Sequence, residues 1–539
     1  MGETSSPLFV GIDVGSASVR AGLYDTAGHR LAFRVRPILQ FHPRADFVEQ
    51  SSADIWAAAT SAVREAIAEA GVDPARVAAI GVDATCSLVA VGADGMPVSV
   101  AEDGDPAKDV VMWMDHRAGR EAAEINATGD PALAYVGGEV SIEMELPKLL
   151  WLKRRFPERW AKVVRFHDLA DHLVWRATGA DVASVCTLGC KWNFLAHENR
   201  FPAAMLAAVG LDDLLVRVPR EVKPLGSLAG RLTTGAAAEM GLPAGIAVAT
   251  GIIDAHAGGL ALAGAAPEGT LALIGGTSNC HMVASPGPIM VPGVWGPYFG
   301  AMIPGLWLNE GGQSAAGALI DWTLRRSSGF AALEAEAAAA GTDVHTLLAR
   351  RVAALEAREG EPARHLHVLP DHHGNRSPRA DPNARGTIVG LSLEPEADAL
   401  PRLYLATLQA LAYGTRHIVE TMNDRGHRIE RLVMCGGGTK NALLLREQAD
   451  ALGAPIHLVE DEDAVTLGAG LLAAVASGAF ADVASAARAM VRPGRTIAPN
   501  PARRAFHDAK YRVFLDLYDQ QKAARDAMSA VRHRENDPC

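Results

Sequence analysis

Cysteine is scarce in this 539-residue chain, which also has no long apolar run and no excess of basic residues. No apolar run reaches the ~18 residues that a membrane-spanning helix needs, and residues 1–7 lack the basic and then apolar pattern of a secretory signal. The cysteines are too scattered for the disulfide framework of a small secreted domain; they are Cys86, Cys186, Cys190, Cys280, Cys435 and Cys539. We therefore expect a cytoplasmic protein with reduced thiols and no membrane partner.

The formal net charge of −11 argues against a nucleic-acid partner, because phosphate backbones are bound by clustered Lys and Arg. It leaves nucleotide binding open, since backbone N–H groups and a metal can hold phosphates. The length predicts two large domains, because single cores stop growing at roughly 250–300 residues.

Cys186 and Cys190 have a CxxxC spacing. No second Cys or His pair follows at the distance that zinc sites use. The spacing alone therefore does not predict a metal site here.

Two similar hairpins organise the chain. Residues 8–12 and Ser18–Tyr24 predict strands joined by a turn that carries Asp13, Gly15 and Ser16. Residues 271–274 and 280–283 repeat the design around a Gly-Gly-Thr-Ser turn. The repetition suggests two related lobes, with a boundary near residues 264–269, a Gly/Pro/Ala stretch suited to a hinge.

The other segments alternate between helix and strand patterns. Ser52–Ala70 has helical periodicity, and residues 77–82 and 302–308 read as strands. This alternation predicts the α/β class. A third turn, at residues 432–438, leads from an apolar strand through glycines into a helix from Ala442. That arrangement is typical of phosphate or nucleotide binding, although tight packing alone produces it as well.

Two aspartates are candidates for chemistry. Asp13, at its hairpin tip, can hold Mg²⁺ through water while turn N–H groups face phosphate oxygens; the alternative is an ordinary Asp-Gly-Ser turn. Asp254 follows an apolar run at residues 247–253. It can accept a proton from a substrate hydroxyl, or it can be a helix N-cap.

Two further charged residues have both a functional and a structural interpretation. Lys191 can donate to sugar hydroxyls or lie along the surface with its ammonium in water. Glu310, between the predicted strand at 302–308 and a Gly-Gly turn, suits the floor of a cleft. Asp115 and Arg117 are predicted to form a structural ion pair.

An ordered set of motifs resembles the FGGY family of carbohydrate kinases from about residue 8 to residue 477. The motifs are GIDVGSASVR at 11–20, GVDAT at 81–85, MWMDHRA at 112–118, IDAHAGG at 253–259, IGGTS at 274–278 and CGGGTKN at 435–441. The resemblance implies two lobes of the actin, hexokinase and heat-shock ATPase type (ribonuclease H-like) with a cleft between them. It implies an N-terminal sugar-binding domain at 8–264, a C-terminal ATP-binding domain at 270–478 and a helical extension at 479–539.

The resemblance also implies roles for single residues. Asp254 matches the catalytic base, which replaces the cap interpretation, and Asp13 matches the metal-associated aspartate. The residues implied to bind ATP are Asp13, Gly15, Ser16, Gly276, Thr277, Gly317, Gly436, Gly437, Gly438 and Asn441.

Within the family, the chain looks most like the D-ribulokinase group. The strings TCSLV at 85–89, VPGVWGPYFG at 291–300 and DHHGNRSP at 371–378 carry this likeness. It implies a sugar site at Thr85, Cys86, Ser87, Lys191, Asp254 and Glu310. The first loop reads Gly-Ser-Ala-Ser where many members have Gly-Thr-x-Ser, and Ser16 keeps the hydroxyl.

The expected reaction is phosphorylation of D-ribulose to D-ribulose 5-phosphate by ATP and Mg²⁺, with Asp254 as general base and lobe closure excluding water. L-ribulose, ribitol, xylulose or another polyol are alternative substrates, because stereochemistry depends on hydrogen-bond geometry. An actin-like ATPase without a sugar substrate is the alternative from another class. The resemblance permits a homodimer without requiring one.

Overall fold

The computed structural model describes residues 6–535 and separates into two compact units. Unit 1 comprises residues 6–270, 282–310 and 459–493, and unit 2 comprises residues 271–281, 311–458 and 494–535. Each unit is therefore assembled from separate stretches of the chain. In the described residues, no helix combines the length and the apolar character needed to cross a membrane.

The elements alternate as the α/β class requires. The strands are β1 Leu8–Val14, β2 Ser18–Tyr24, β3 Arg30–Pro37, β4 Phe41–Arg44, β5 Phe47–Gln50, β6 Val77–Ala84, β7 Leu88–Val91, β8 Val110–Val111, β9 Arg165–Asp168, β10 Val182–Ser184, β11 Glu221–Lys223, β12 Leu228–Arg231, β13 Ala247–Ala249, β14 Ile252–Ile253, β15 Thr270–Gly275, β16 Asn279–Ser285, β17 Trp295–Phe299, β18 Trp307–Gln313, β19 His367–Leu369, β20 Thr387–Val389, β21 Arg431–Cys435, β22 Ile456–Val459 and β23 Pro493–Ile497. The helices are α1 Ser52–Ala70, α2 Gly119–Asn126, α3 Glu145–Arg155, α4 Pro157–Trp160, α5 Leu169–Thr178, α6 Val185–Lys191, α7 Ala203–Ala208, α8 Thr234–Met240, α9 Asp254–Ala263, α10 Gly317–Arg325, α11 Phe330–Ala339, α12 Val344–Glu359, α13 Glu396–Asp424, α14 Ala442–Leu452, α15 Ala464–Ala476, α16 Val483–Met490 and α17 Arg504–Glu535.

Helix α1 shows how local sequence fixes an element. The Ser51 side chain accepts a hydrogen bond from the backbone N–H of Asp54 at 3.3 Å, which satisfies one free donor at the helix start. Trp56 and Val63 belong to its buried face, which packs on β2 and β3. Gly71 ends the helix in a left-handed conformation with φ 61°. Both predicted ends are confirmed.

One predicted strand is wrong. Residues 302–308 were expected to be extended, but residues 301–306 form turns and β18 begins at Trp307. Pro304 and Gly305 cause the difference: proline removes a backbone donor, and Gly305 has φ 81°. Glu310 consequently lies inside a strand rather than after one.

The main sheet of unit 1 has the order β12-β13-β6-β1-β2-β3, and β14 also pairs with β6. Strands β1 and β6 are parallel, with Asp13 opposite Asp83. Strand β14 is parallel to β6, with Ile252 opposite Asp83. The carboxyl ends of these three strands therefore meet at one edge, the place where open α/β sheets bind ligands.

Helix α15 covers β1 and β6 at very short range. A Cβ atom on Gly11 would lie 2.0 Å from the carbonyl oxygen of Thr466, and one on Gly81 would lie 1.9 Å from that of Ala469. Only glycine permits so close an approach of backbone to backbone. The Tyr24 hydroxyl lies 2.6 Å from the Thr466 hydroxyl and ties the helix to β2.

Unit 2 contains the parallel strands β21 and β22, with Leu432 opposite Ile456. Helix α13 packs against α10, α12 and α14. The C-terminal helix α17 buries Tyr511, Phe514 and Leu517 against Leu369 and Tyr413. Helix α17 continues to Glu535, and residues 536–539 lie outside the described residues.

Candidate active site

The edge formed by β1, β6 and β14 gathers carboxyl groups in unit 1. Asp13 on β1 and Asp83 on β6 are directly opposite each other, and both are buried. Asp254 follows β14 directly, and both Asp254 and Asp463 lie near enough to raise the pKa of Asp13. A concentration of like charge at the carboxyl edge of a sheet is a mark of a functional site.

Burial dominates the electrostatics of this edge. Desolvation raises the pKa of Asp13 to about 6, although the Arg20 guanidinium, 2.5 Å from its Oδ2, acts to lower it. Burial, followed by the charge of Asp13, raises the pKa of Asp83 well above its usual range. Burial and the neighbouring carboxyl group therefore both favour the neutral form of Asp83.

The same carboxyl groups suit a hard cation such as Mg²⁺. Oδ1 of Asp13 and both side-chain oxygens of Asp83 are buried and, in the described part of the chain, have no hydrogen-bond donor other than a proton that the two carboxyl groups can share. Buried oxygens without donors are costly unless a cation binds them, and Mg²⁺ takes oxygen ligands. Asp83 belongs to the GVDAT motif, but no role was predicted for it. Its signal was an aspartate at the end of an apolar strand, as at Asp13.

Asp254 is the first residue of α9, and Ile253 occupies the N-cap position. Among the described residues, the side chain of Asp254 caps no later N–H of α9, and its Oδ1 accepts from Ala255 N at 2.7 Å. The cap interpretation is therefore wrong. Burial raises the pKa of Asp254, against the lowering influence of the Ala255 N–H and of the charges on His256, Lys191 and Arg20.

The turns next to this edge carry the other predicted residues. Gly15 N donates to the Ser18 carbonyl at 3.0 Å, and the Ser16 hydroxyl accepts from the Trp113 indole N–H at 3.0 Å. The Thr85 and Ser87 hydroxyls lie 3.2 Å apart. These contacts hold both turns in fixed conformations.

Lys191 is 5% exposed, and its Nζ lies 4.3 Å from the ring centre of Trp295. The interpretation as a surface lysine is therefore wrong. Burial opposes its charge, but Cys86 and Glu310 raise the pKa of Lys191 above its ordinary value. Trp295 pairs with Glu310 across β17 and β18, which brings the lysine and the carboxylate into one buried group.

His256 connects this group to two cysteines. Its Nε2 lies 3.0 Å from Oε2 of Glu310, and its Nδ1 lies 3.1 Å from Sγ of Cys186. Burial opposes charge on both residues, yet the hydrogen bond with Cys190, followed by the charge of His256, lowers the pKa of Cys186, and Cys186 and Glu310 raise the pKa of His256. Nearby Cys86 is buried, and burial raises the pKa of its thiol.

The predicted ion pair between Asp115 and Arg117 is confirmed. Arg117 donates to both carboxylate oxygens of Asp115, at 2.8 and 2.7 Å, and to Glu49 at 2.9 Å. All three side chains are buried, and the guanidinium lies over the rings of Phe47 and Trp151. The ion pairs connect residues 115–117 to Glu49 of β5.

In unit 2, the second hairpin rests on the start of α10. The Gly276 carbonyl accepts from Gly317 N at 3.0 Å, and the Thr277 carbonyl accepts from Ala316 N at 2.9 Å. Gly276, Thr277 and Gly317 are all exposed. The structure therefore brings these three predicted residues together at a helix N-terminus, a place that suits phosphate.

The third glycine turn joins β21 to α14. Gly436 has φ 89°, and a Cβ there would lie 2.5 Å from the Gly275 carbonyl oxygen; Gly437 and Gly438 follow in a short 3₁₀ turn. The Asn441 side chain caps α14 by accepting from Leu444 N at 3.1 Å, and it donates to the Tyr404 hydroxyl at 2.7 Å. Asn441 thus has structural partners on both atoms of its amide.

Comparison with known proteins agrees with this architecture. Residues 8–261 match the N-terminal domain of the FGGY family of carbohydrate kinases, and residues 271–477 match its C-terminal domain. An FGGY carbohydrate kinase domain-containing protein of Xenopus laevis is 44% identical over 97% of this chain and 98% of its own. A D-ribulokinase of Saccharomyces cerevisiae is 37% identical over 89% of this chain and 73% of its own.

Solved structures share the fold. The xylulose kinase of Rhodospirillum rubrum superimposes with a TM-score of 0.79 at 27% identity, over 95% of this chain and 98% of its own. The predicted two-lobed fold of the actin and hexokinase type is confirmed. By sequence and by fold, the chain belongs to the FGGY family of carbohydrate kinases.

Proposed function

We propose that this carbohydrate kinase transfers the γ-phosphoryl group of ATP to the terminal hydroxyl of D-ribulose, giving D-ribulose 5-phosphate. The observation that carries the proposal is the position of Asp254. Asp254 directly follows β14 at the carboxyl edge of the unit 1 sheet, accepts from no described α9 N–H beyond that of Ala255, and lies within electrostatic range of both Lys191 and Arg20. A carboxylate left without a structural task is available as a general base.

Lys191 and Glu310 supply the polar groups that a polyhydroxylated substrate requires. Both are buried in unit 1, and Trp295 and His256 fix their positions. A lysine ammonium donates hydrogen bonds and a carboxylate accepts them, so together they discriminate among arrangements of hydroxyl groups. Thr85, Cys86 and Ser87 complete the proposed sugar site.

Asp13 and Asp83 are the residues proposed to hold Mg²⁺. When bound, the ion would neutralise charge on the transferring phosphoryl group. The protein's own contribution is to leave Oδ1 of Asp13 and both oxygens of Asp83 without N–H donors in the described part of the chain, while Arg20 pairs with Oδ2 of Asp13. Gly15 and Ser16 are assigned to the phosphates in unit 1.

The nucleotide is assigned to the exposed glycine turns of unit 2. Gly276, Thr277 and Gly317 suit phosphate oxygens, while Gly436, Gly437, Gly438 and Asn441 suit the adenosine. Because both atoms of the Asn441 amide have internal partners, we assign Asn441 to shaping this turn as well as to contacting the nucleotide.

The choice of D-ribulose is supported by two relatives named for related activities. One is the D-ribulokinase of Saccharomyces cerevisiae already described, and the other is a ribulokinase of Mycolicibacterium smegmatis that is 35% identical over 95% of this chain. A site that pairs each hydroxyl with a buried polar group discriminates strongly, because a misplaced hydroxyl leaves a buried group without its partner.

The test is an ADP-release assay with Mg·ATP and a panel of D-ribulose, L-ribulose, D-xylulose and ribitol. We expect kcat/KM for D-ribulose to exceed the others by about 100-fold or more. If another sugar is the best substrate, the kinase assignment stands and the choice of D-ribulose is wrong. ATP hydrolysis that no sugar accelerates would overturn the proposal in favour of an ATPase without a sugar substrate.

A further inference from the structure

Two cysteines and a histidine meet in the interior of unit 1. Cys186 and Cys190 are four residues apart on α6, so their side chains lie on one face of the helix. His256, from α9, approaches the same face. One ligand atom from each residue lies within 4.8 Å of the other two, and all three side chains are buried. The CxxxC spacing gave no hint of the histidine, which is far away in sequence.

The distances suit a tetrahedral ion. Bonds of about 2.3 Å to sulfur and about 2.05 Å to nitrogen, at a tetrahedral angle, place the sulfur and nitrogen about 3.6 Å apart. Nδ1 of His256 lies 3.1 Å from Sγ of Cys186 and 3.8 Å from Sγ of Cys190. These separations lie on either side of the tetrahedral value, so small side-chain rotations would complete the site.

The surroundings match a metal-bound histidine. The second ring nitrogen, Nε2, lies 3.0 Å from a carboxylate oxygen of Glu310. Metal-bound histidines characteristically donate their other N–H to a carboxylate, which fixes the tautomer. This contact leaves Nδ1 as the free ligand atom, and Nδ1 is the atom that faces both sulfurs.

Charge balance points the same way. Metal binding requires both cysteines as thiolates and His256 as the neutral imidazole, and two thiolates beside Glu310 would be costly in a buried place without compensating cations. A divalent ion together with the Lys191 ammonium, which follows Cys190 directly, neutralises the group.

We propose that Cys186, Cys190 and His256 bind one Zn²⁺-like, thiophilic divalent ion, with the fourth position left to water or another small ligand. The ion ties α6 to α9 and holds Nε2 of His256 as the donor to Glu310. This site is separate from the proposed Mg²⁺ site, because sulfur and imidazole ligands favour soft ions over hard ones.

The test uses cobalt as a spectroscopic probe on the reduced, metal-stripped, full-length chain, without ATP or sugar. We expect near-ultraviolet thiolate-to-cobalt charge-transfer bands and intense visible bands of tetrahedral cobalt, saturating at one equivalent. Excess Zn²⁺ should abolish these bands and excess Mg²⁺ should not. Because no substrate is present, the outcome is independent of the kinase assignment.

Variants assign the ligands. Cys186→Ala and Cys190→Ala should each remove most of the charge-transfer intensity, whereas Cys435→Ala, a buried cysteine of unit 2, should keep it. Glu310→Gln should weaken cobalt binding about 10- to 100-fold, the usual cost of losing an outer carboxylate partner.

Absence of a thiolate band in the native chain would overturn the proposal, as would a band that survives in the Cys186→Ala/Cys190→Ala double variant. If a cysteine variant does not fold by circular dichroism, the native chain decides the matter alone. Zn²⁺ should then raise its thermal midpoint and compete for the metal with a chromophoric chelator, and failure of both would reject the site.

Discussion

The hairpin β1–β2 of unit 1 and the hairpin β15–β16, whose turn lies in unit 2, have the same plan: a strand, a glycine turn and a returning strand. Their chemistry differs. The first ends on a buried carboxylate paired with Arg20, beside Asp83 on the next strand. The second ends on exposed Gly276 and Thr277, whose carbonyls accept N–H groups at the start of α10. The same backbone plan thus presents ionisable side chains at the first tip and main-chain groups at the second.

The largest effect on activity should come from unit 1, which holds the buried carboxyl groups. Asp254→Asn removes the proposed base while keeping its shape, so we expect kcat to fall by about 10²–10⁴-fold with little change in KM for the sugar. Steady-state kinetics with D-ribulose measure it. Asp371→Asn, at a buried carboxylate of unit 2 outside the proposed site, is the control for general damage. An Asp254→Asn enzyme with near-normal kcat would remove this residue from the mechanism.

The two hairpin tips can be compared directly. Asp13→Asn should lower kcat/KM by about 100-fold or more, because it removes a proposed ligand of the ion that stabilises the phosphoryl charge. Thr277→Ala should cost about 10-fold, mostly in KM for ATP, as expected for one hydrogen bond to a charged group. Titrating Mg²⁺ in both variants separates the two roles: only Asp13→Asn should need more metal. Equal effects on the metal requirement would contradict the assignment.

The buried charge of Asp13 should also lower the free energy of unfolding. The pKa of Asp13 is about 6 in the folded chain against 3.8 as its ordinary value, so the folded state binds more protons between these pH values. Stability should therefore fall as pH rises from about 4 through about 6. In the absence of metal, Asp13→Asn should be more stable than the native chain at pH 7, by up to about 3 kcal/mol.

Urea unfolding at pH 4 and pH 7 tests this pH dependence. The extra stability of Asp13→Asn over the native chain should vanish near pH 4, where the native carboxyl group is protonated. Added Mg²⁺ should reduce this difference at pH 7. A native chain whose advantage over Asp13→Asn grows with pH would show that the Arg20 ion pair outweighs burial.

The glycine geometry of unit 2 should give the smallest effect. Gly436→Ala places a Cβ 2.5 Å from a carbonyl oxygen at φ 89°, so we expect a loss of about 1–3 kcal/mol in unfolding free energy. Gly437→Ala is the matched control, since no atom lies within 4 Å of a Cβ there. Urea midpoints of the two variants measure the difference, and equal values would show that the turn relaxes.

Local patterns predicted the elements well and the contacts between them poorly. The ends of α1 and β2 follow from apolar periodicity and a cap, which depend on adjacent residues. Asp13 and Asp83 are opposite each other because of the strand register, which a local sequence pattern cannot predict. The Cys186 and His256 contact joins helices 70 positions apart in sequence. The domain limits at 264, 270 and 478, and every assigned site role, stay predictions.

The position of helix α15 in the sequence affects how the chain can fold during synthesis. It covers β1 and β6, which are complete by Ala84, but it is itself complete only at Ala476. At synthesis rates of about 5–20 residues per second, roughly 20–80 s separate the two events. During that time the glycine-lined sheet face is an apolar surface without its cover. We therefore expect the nascent chain to depend on chaperones until nearly all of it has left the ribosome.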